Sequence, residues 1–436
     1  MNYNAWLKNK DLEYREGILH IANLDALEIA ENYGTPIYIT NEQMIRKRYQ
    51  ELKEVLNSVY RDNQIYFAVK SNSNMAILKI LNSEGSNYDC SSVGEIYTCL
   101  KTGISTDQII YTGNMFTNKD FEFAIEKDIL INLDSYSQLI RLAKFYDKQG
   151  KKKSVISFRF NPEFGAGHHP HTITAGRNIK FGILENQIVQ TYSKAKDLGF
   201  KKFGIHQHIG SGIIDATDFE KPTMKFLQII ETIAKSLGIQ FEFVDFGGGI
   251  GIPYHPEENP IDLKKYSEIV INRFKEMVER GDIGKPILFI EPGRYISGES
   301  SIILSQINTI KNNGFKLFAG IDAGFNTLIR PTLYGSYHHI IECKINKKDN
   351  LNYDIVGPIC ESGDILGNER KLSKLQEGDY LAILDTGAYG YTMSSPYNSR
   401  PRPAEFLINN GKVYKIRKNE TFEDLLRDQT IPDHLK

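Results

Sequence analysis

One lysine is set apart by where it sits. Residues 65–69, Ile-Tyr-Phe-Ala-Val, form an apolar run that ends in Lys70 and turns polar through Ser-Asn-Ser-Asn74. Such a run reads as a strand buried in a parallel sheet. A lysine at the mouth of that strand is partly desolvated. Desolvation lowers its pKa and makes it a nucleophile able to form a Schiff base. Most lone lysines are solvated surface charges, so the weight rests on its company. His206 and His208 are two apart on one strand pattern, which puts both rings on one side. Gly247-Gly-Gly249 follows a further apolar run, and Glu291-Pro-Gly-Arg294 follows the next. Glycines there let backbone amides close around a phosphate, and Ser211 adds a hydroxyl. A phosphate turn, a buried amine, a flat imidazole (His208) for stacking and a carboxylate (Glu291) together point to pyridoxal phosphate. A carboxylate beside the ring nitrogen keeps that nitrogen protonated, and the ring then draws electrons from a carbanion at the substrate's α-carbon. That is what a decarboxylase needs. Each piece also has an ordinary reading: a tight turn, a core histidine, or half of a zinc site built on His-x-His. No further set of metal ligands stands out, and no metal is expected.

These residues must be positioned by something regular. Apolar runs at 65–70, 87–90, 108–112, 130–133, 155–160, 203–208, 241–246 and 287–291 alternate with amphipathic stretches. Eight strands with helices between them predict an α/β fold, a (β/α)8 TIM-type barrel, over residues 36–300. In such barrels the chemistry lies at the carboxyl ends of the strands. Those ends carry Lys70, Asp89, Thr112, Arg159, His206 to Ser211, Asp245 to Gly249, and Glu291 to Arg294. After residue 300 the rhythm changes to short β-like runs at 302–310, 316–321, 338–345, 352–356, 379–384, 404–408 and 412–416. They predict an all-β C-terminal domain, residues 301–436, that also includes the N-terminal segment 1–35. Within residues 1–35 a strand at 18–21 and a helix at 25–33 are expected, and a charged helix is expected over 417–436.

Composition excludes several classes. The 436 residues carry a net charge of −1, with 41% hydrophobic and 25% charged residues. That is an ordinary globular balance with no electrostatic footprint for nucleic acid or an anionic membrane. There is no apolar run long enough for a membrane span and no signal-peptide pattern at Met1-Asn-Tyr-Asn. The four cysteines show no metal or disulfide spacing, so reduced thiols in a cytoplasmic protein are expected.

Taken together, the motifs resemble the fold-type III pyridoxal-phosphate decarboxylases. They are Tyr66-Phe-Ala-Val-Lys-Ser-Asn72, His206-Gln-His-Ile-Gly-Ser211, Phe246-Gly-Gly-Gly249, Glu291-Pro-Gly-Arg294, Cys360-Glu-Ser-Gly-Asp364, Gly387-Ala-Tyr389 and Tyr397-Asn-Ser-Arg-Pro-Arg-Pro403. The resemblance covers about residues 35–407. It implies an alanine-racemase-like barrel with a β-domain, working as a homodimer with active sites at the interface. It implies that Lys70 attaches the cofactor, Glu291 meets the pyridinium and His208 stacks on the ring. Asp89, Arg159, Ser211, Gly248, Gly249, Pro292, Gly293, Arg294 and Tyr389 would surround the cofactor. Cys360 would come from the partner subunit and return a proton after CO2 leaves. Arg294, Arg330, Tyr334, Glu361 and Tyr389 would meet the substrate. A cation for a distal carboxylate (Arg330) beside an anion for a distal ammonium (Glu361) suits meso-2,6-diaminopimelate, giving L-lysine and CO2. The alternatives are ornithine, lysine, carboxynorspermidine or a carrier-bound amino acid as substrate, a metal-dependent barrel hydrolase, and a non-catalytic regulator on the same fold. The chain departs from the family's usual pattern at 161–170 and again at 295–301.

Overall fold

The computed structural model describes residues 3–153, 155–165, 167, 174–345 and 350–436. The chain divides into two compact units. One comprises residues 46–253 and 259–296, the other residues 1–45, 254–258 and 297–436.

The first unit is a closed barrel of eight parallel strands. They are β1 (Asn63–Ala68), β2 (Asn87–Cys90), β3 (Ile109–Thr112), β4 (Leu130–Leu133), β5 (Ile156–Asn161), β6 (Phe203–Gln207), β7 (Phe241–Asp245) and β8 (Ile287–Ile290). All eight expected strands are present, within about two residues of their expected ends. Closure comes from β8 on β1, with Ile290 opposite Ile65. A short extra strand, Ile183–Leu184, adds to β5 and had no signal beyond two apolar residues. The barrel interior is filled by Tyr66, Ile110, Phe243 and Phe289. Phe243 and Phe289 stack at 4.5 Å. They fit because β6 carries Gly204, where an added Cβ would lie 2.2 Å from the Phe243 ring. Helices return the chain between strands and start on side-chain caps such as Asn74, Ser92, Thr117 and Ser135.

The second unit is built on a large sheet. Its order is Ile365–Ser373, Asn350–Val356, Leu317–Ile321, Ser301–Asn312, Ile37–Asn41, Ala404–Asn409 and Lys412–Arg417, with Tyr380–Ile383 and Ile340–Glu342 joined alongside. The strand Ile37–Asn41 pairs with Ser301–Asn312 and with Ala404–Asn409. It therefore belongs to this sheet, and the expected barrel boundary at residue 36 moves to 45. A three-stranded N-terminal sheet and the helix Ala26–Tyr33 pack on the same core, with Trp6 inside it. Lys10 is buried there between Glu299 and Asp385, each at 2.7 Å. The charged tail does not form the long helix expected. It forms a turn-and-a-half of α-helix at Phe422–Leu426 and a 3-10 turn at Asp433–Leu435, because its apolar residues stay exposed and give no packed face.

Candidate active site

In the barrel unit, Lys70 sits just past β1 in the turn Val69–Ser71 rather than at the end of the strand. That turn lifts the side chain to the mouth, where it is 36% exposed and its Nζ lies 2.5 Å from Asp89 Oδ2. Asp89 is one residue from the end of β2 and fully buried. Burial, reinforced by the charge of Glu291, pushes its carboxyl up to about 7 against the pull of Lys70.

Glu291 follows β8 and is buried. Its Oε1 accepts from Thr112 Oγ1 and its Oε2 meets His206 Nε2, each at 3.1 Å. Burial alone would raise this carboxyl, but the His206 ring and the Lys70 ammonium hold it well below the usual carboxylate range. Burial pushes His206 down, so its ring is neutral at pH 7. Thr112 and Asp245 are contributors that sequence reasoning placed at strand ends without giving them a task. His206, Asp245 and Glu291 bring donor atoms within 4.8 Å of one another. That trio is the arrangement a metal-hydrolase reading would need, although Lys70 and the glycine turns would have no part in it.

The turn after β7 approaches Glu291 closely. A Cβ on Gly248 would lie 2.3 Å from the Glu291 carbonyl, and Gly247 has φ +67°. The Gly247 amide donates to Asp245 Oδ1 and the Gly248 amide to His208 Nδ1. These two glycines therefore act by letting backbone come close, and their N–H groups are committed to side chains. The bond to Nδ1 fixes His208 as an acceptor there, and burial with Arg159 and Lys70 nearby keeps the ring neutral. Arg159 donates to the carbonyl of His208, and burial lowers its guanidinium to about 10. Arg294 Nη2 donates to Ser211 Oγ at 3.1 Å. The Pro292 carbonyl takes the Ala68 amide, and a Cβ on Gly293 would meet Ser71 Oγ at 2.9 Å. Lys70, Asp89, Arg159, His208, Ser211, Gly248, Gly249, Glu291, Pro292, Gly293 and Arg294 thus lie at the carboxyl ends of the strands of one barrel.

The sheet unit holds the remaining expected residues. Arg330 is fully buried. Its Nε donates to His338 Nε2 and its Nη2 to Ser336 Oγ, both at 3.3 Å, and its guanidinium lies over Tyr254. His338 gives Nδ1–H to the Leu384 carbonyl, so its Nε2 is free to accept. Tyr334, on the same short helix, is half-buried. Cys360 and Glu361 are exposed. Glu361 accepts from Tyr397 at 2.6 Å, and the Cys360 amide donates to Asn398. Asp364 fixes that loop by accepting the amides of Phe325 and Ile359. Tyr389 is held at φ +59°, rare for an aromatic residue. Of the two departures, residues 166 and 168–170 of the first lie outside the described residues. The second is a structural joint: Glu299 pairs with Lys10, Ser300 bonds the Ser297 carbonyl and Ser301 bonds Thr40.

The barrel's residues fit pyridoxal phosphate. A reachable amine, an anionic carboxylate below it, and a glycine turn with no room for a Cβ are the parts that group requires. Residues 42–298 match the family described as pyridoxal-dependent decarboxylase, pyridoxal binding domain. The chain belongs to the pyridoxal-dependent decarboxylases and, within them, to the diaminopimelate decarboxylase family. It is 46% identical over 98% of its length to the diaminopimelate decarboxylase of Methanothermobacter thermautotrophicus, covering 99% of that protein. A crystal structure of the M. jannaschii diaminopimelate decarboxylase in complex with L-lysine matches at 32% identity, covering 99% of this chain and 100% of that one, with a TM-score of 0.92. The Helicobacter pylori enzyme with L-lysine matches at 34% identity, covering 92% and 98%, with a TM-score of 0.85. The expected fold and family stand. No helix among the described residues is long and apolar enough to cross a membrane.

Proposed function

We propose that this chain converts meso-2,6-diaminopimelate to L-lysine and CO2 with pyridoxal phosphate. The observation on which the chemistry rests is the Glu291 carboxylate, buried and hydrogen-bonded by Thr112 and His206 in the barrel that presents Lys70 at its mouth. When bound, the cofactor supplies the electron sink that takes the pair left at the α-carbon as CO2 departs. Lys70 anchors its aldehyde carbon, and Glu291 holds a proton on its ring nitrogen. His208 packs on the ring face, with Asp89 and Arg159 beside it, while Ser211, Gly249, Gly293, Arg294 and Tyr389 surround its phosphate. Arg330 and Arg294 take the substrate's distal carboxylate, Glu361 its distal ammonium, and Tyr334 adds a hydroxyl. Cys360 gives its thiol proton to the carbon that lost CO2. The names of the relatives and the buried guanidinium of Arg330 support this substrate over ornithine or lysine, which have no second carboxylate. The reading includes a cytoplasmic homodimer with shared sites. Four cysteines with no disulfide among them support the compartment, and the exposed Cys360–Glu361 loop supports the dimer.

The test is CO2 release from meso-diaminopimelate, L-ornithine and L-lysine by protein saturated with pyridoxal phosphate. Only the first is expected to turn over rapidly. Lys70→Ala should lose both the yellow covalent complex and activity. A variant that stays yellow and active would remove Lys70 from the mechanism. Arg330→Ala should raise KM for diaminopimelate by about 10- to 100-fold, as loss of a charge-assisted carboxylate contact does. A protein inactive on all three amino acids but dependent on bound zinc would turn the reading toward the hydrolase.

A further inference from the structure

Two acids lie side by side under the barrel mouth, and only one of them can carry charge. His206 on β6 is the register partner of Asp245 on β7, and Asp245 adjoins Phe289 of β8, two residues before Glu291. All three side chains are buried, with donor atoms within 4.8 Å of one another. Two carboxylates this close in a dry site do not both ionise. We infer that His206 is a positioning residue that settles this competition, placing the negative charge on Glu291 and leaving the proton on Asp245.

The hydrogen bonds decide the sign. Glu291 has a donor at each oxygen: Thr112 Oγ1 at Oε1 and His206 Nε2 at Oε2. Asp245 has one, the Gly247 amide at Oδ1, and its Oδ2 has no partner among the described residues. Without His206 each acid would keep a single donor, and no hydrogen bond would favour Glu291 over Asp245. The ring's own state follows from its other nitrogen. His206 Nδ1 is buried with no partner among the described residues. A proton there would be an orphaned buried donor, whereas a bare lone pair is tolerated more easily. The single proton therefore sits on Nε2 and points at Glu291. The surrounding charges agree with this. Lys70 and Arg159 face the cluster as cations and disfavour an imidazolium, while His208 is itself neutral. Burial and the Glu291 charge push the Asp245 carboxyl well above its ordinary range, and Asp89, pushed to about 7, adds to that push.

The inference rests on the reading that Glu291 meets the cofactor's ring nitrogen, and the test separates the two. Affinity is measured for pyridoxal phosphate and for its 1-deaza analogue, which has carbon at the ring-nitrogen position. The ratio of the two affinities reports the charge facing that position. His206→Leu is expected to cut the ratio by about 10- to 100-fold, the effect of one charge-assisted buried hydrogen bond. His206→Gln, whose amide nitrogen reaches the Nε2 position, should restore it to within about threefold. Equal losses for both ligands in His206→Leu would mean that the ring only packs, and would overturn the inference. Glu291→Gln is the control. If it too leaves the ratio intact, the ring-nitrogen reading falls and takes this inference with it. If it collapses the ratio and His206→Leu does not, the inference alone is wrong. An independent arm uses the unsubstituted, cofactor-free protein, so it holds even where His206→Leu fails to fold. The 15N signals of His206 at pH 7 should show a neutral ring protonated at Nε2. An imidazolium, or a ring protonated at Nδ1, overturns the inference.

Discussion

At the residue scale the barrel mouth is a set of charges held apart by a few hydrogen bonds, and Asp89 is the one poised to change near neutrality. A carboxyl raised from its ordinary 3.8 to about 7 keeps its proton through the range where a free carboxyl has lost it. Below pH 7 Asp89 is neutral and its attraction for the Lys70 ammonium is lost. Above pH 7 the carboxylate forms and holds the ammonium in place. Attachment of pyridoxal phosphate to the cofactor-free protein should therefore show an inflection near pH 7. Asp89→Asn should remove it. At pH 8 the variant should attach the cofactor faster, by up to about fivefold, because a pair with a half-exposed ammonium is partly screened. Stopped-flow absorbance between pH 6 and 8.5 measures this, and an inflection that survives the substitution would assign it elsewhere. Most of this constellation was legible in the sequence, because each member ends an apolar run, where a barrel keeps its chemistry. What sequence could not show was pairing. Thr112 and Asp245 close apolar runs in the sequence as plainly as Lys70 does, but only the fold brings them around Glu291.

At the scale of elements, Gly204 shows how one absent side chain lets a strand serve. It leaves the space on β6 into which the Phe243 ring of β7 packs, and that ring stacks on Phe289 of β8. Gly204→Ala would put a Cβ 2.2 Å from a ring whose neighbours leave it nowhere to turn. The expected cost is about 1–3 kcal/mol. Trp6, the single tryptophan, lies in the sheet unit and would miss the effect. Hydrogen exchange of the β6 and β7 amides reports it directly. Those amides should lose protection in Gly204→Ala and regain part of it when Phe243→Leu is added. Elements whose apolar runs are continuous, like these strands, were read from sequence nearly to the residue. The strand Ile365–Ser373 was not, for a physical reason. It is an edge strand with Asn, Glu, Arg and Lys along its middle, the composition that protects an edge from pairing and hides it from a hydrophobicity reading. The run Ile37–Asn41 falls within the range expected for the barrel but belongs to the sheet unit, since an apolar run does not name its partner.

At the scale of the whole molecule, the chain builds its sheet unit from both ends and its barrel from the middle. Lys10 holds the two ends of the sheet unit together. It reaches from the N-terminal segment to Glu299 and Asp385, and those acids raise its pKa against the desolvation that would lower it. The folded protein therefore keeps this charge wherever the unfolded chain has it, and the bond persists through pH 7–9. Lys10→Ala would take the shared cation from two buried carboxylates at a cost of about 3–5 kcal/mol, seen as a lower unfolding temperature followed at Trp6. The proposed function makes a stronger demand on the assembly. Lys70 lies in the barrel and Cys360 on an exposed loop of the sheet unit. If the thiol serves the partner's lysine, a protein with Lys70→Ala and a protein with Cys360→Ala are each inactive for reasons carried by opposite halves of one site. A dimer of one chain of each kind would contain one site with both defects and one with neither. Mixing the two inactive variants under conditions that exchange subunits should then restore about a quarter of the unsubstituted activity on statistical pairing. CO2 release measured across a series of mixing ratios should peak at equal amounts. Activity that stays at the level of the separate variants, in a mixture shown by mass spectrometry to contain mixed dimers, would place Lys70 and Cys360 in the same chain's site.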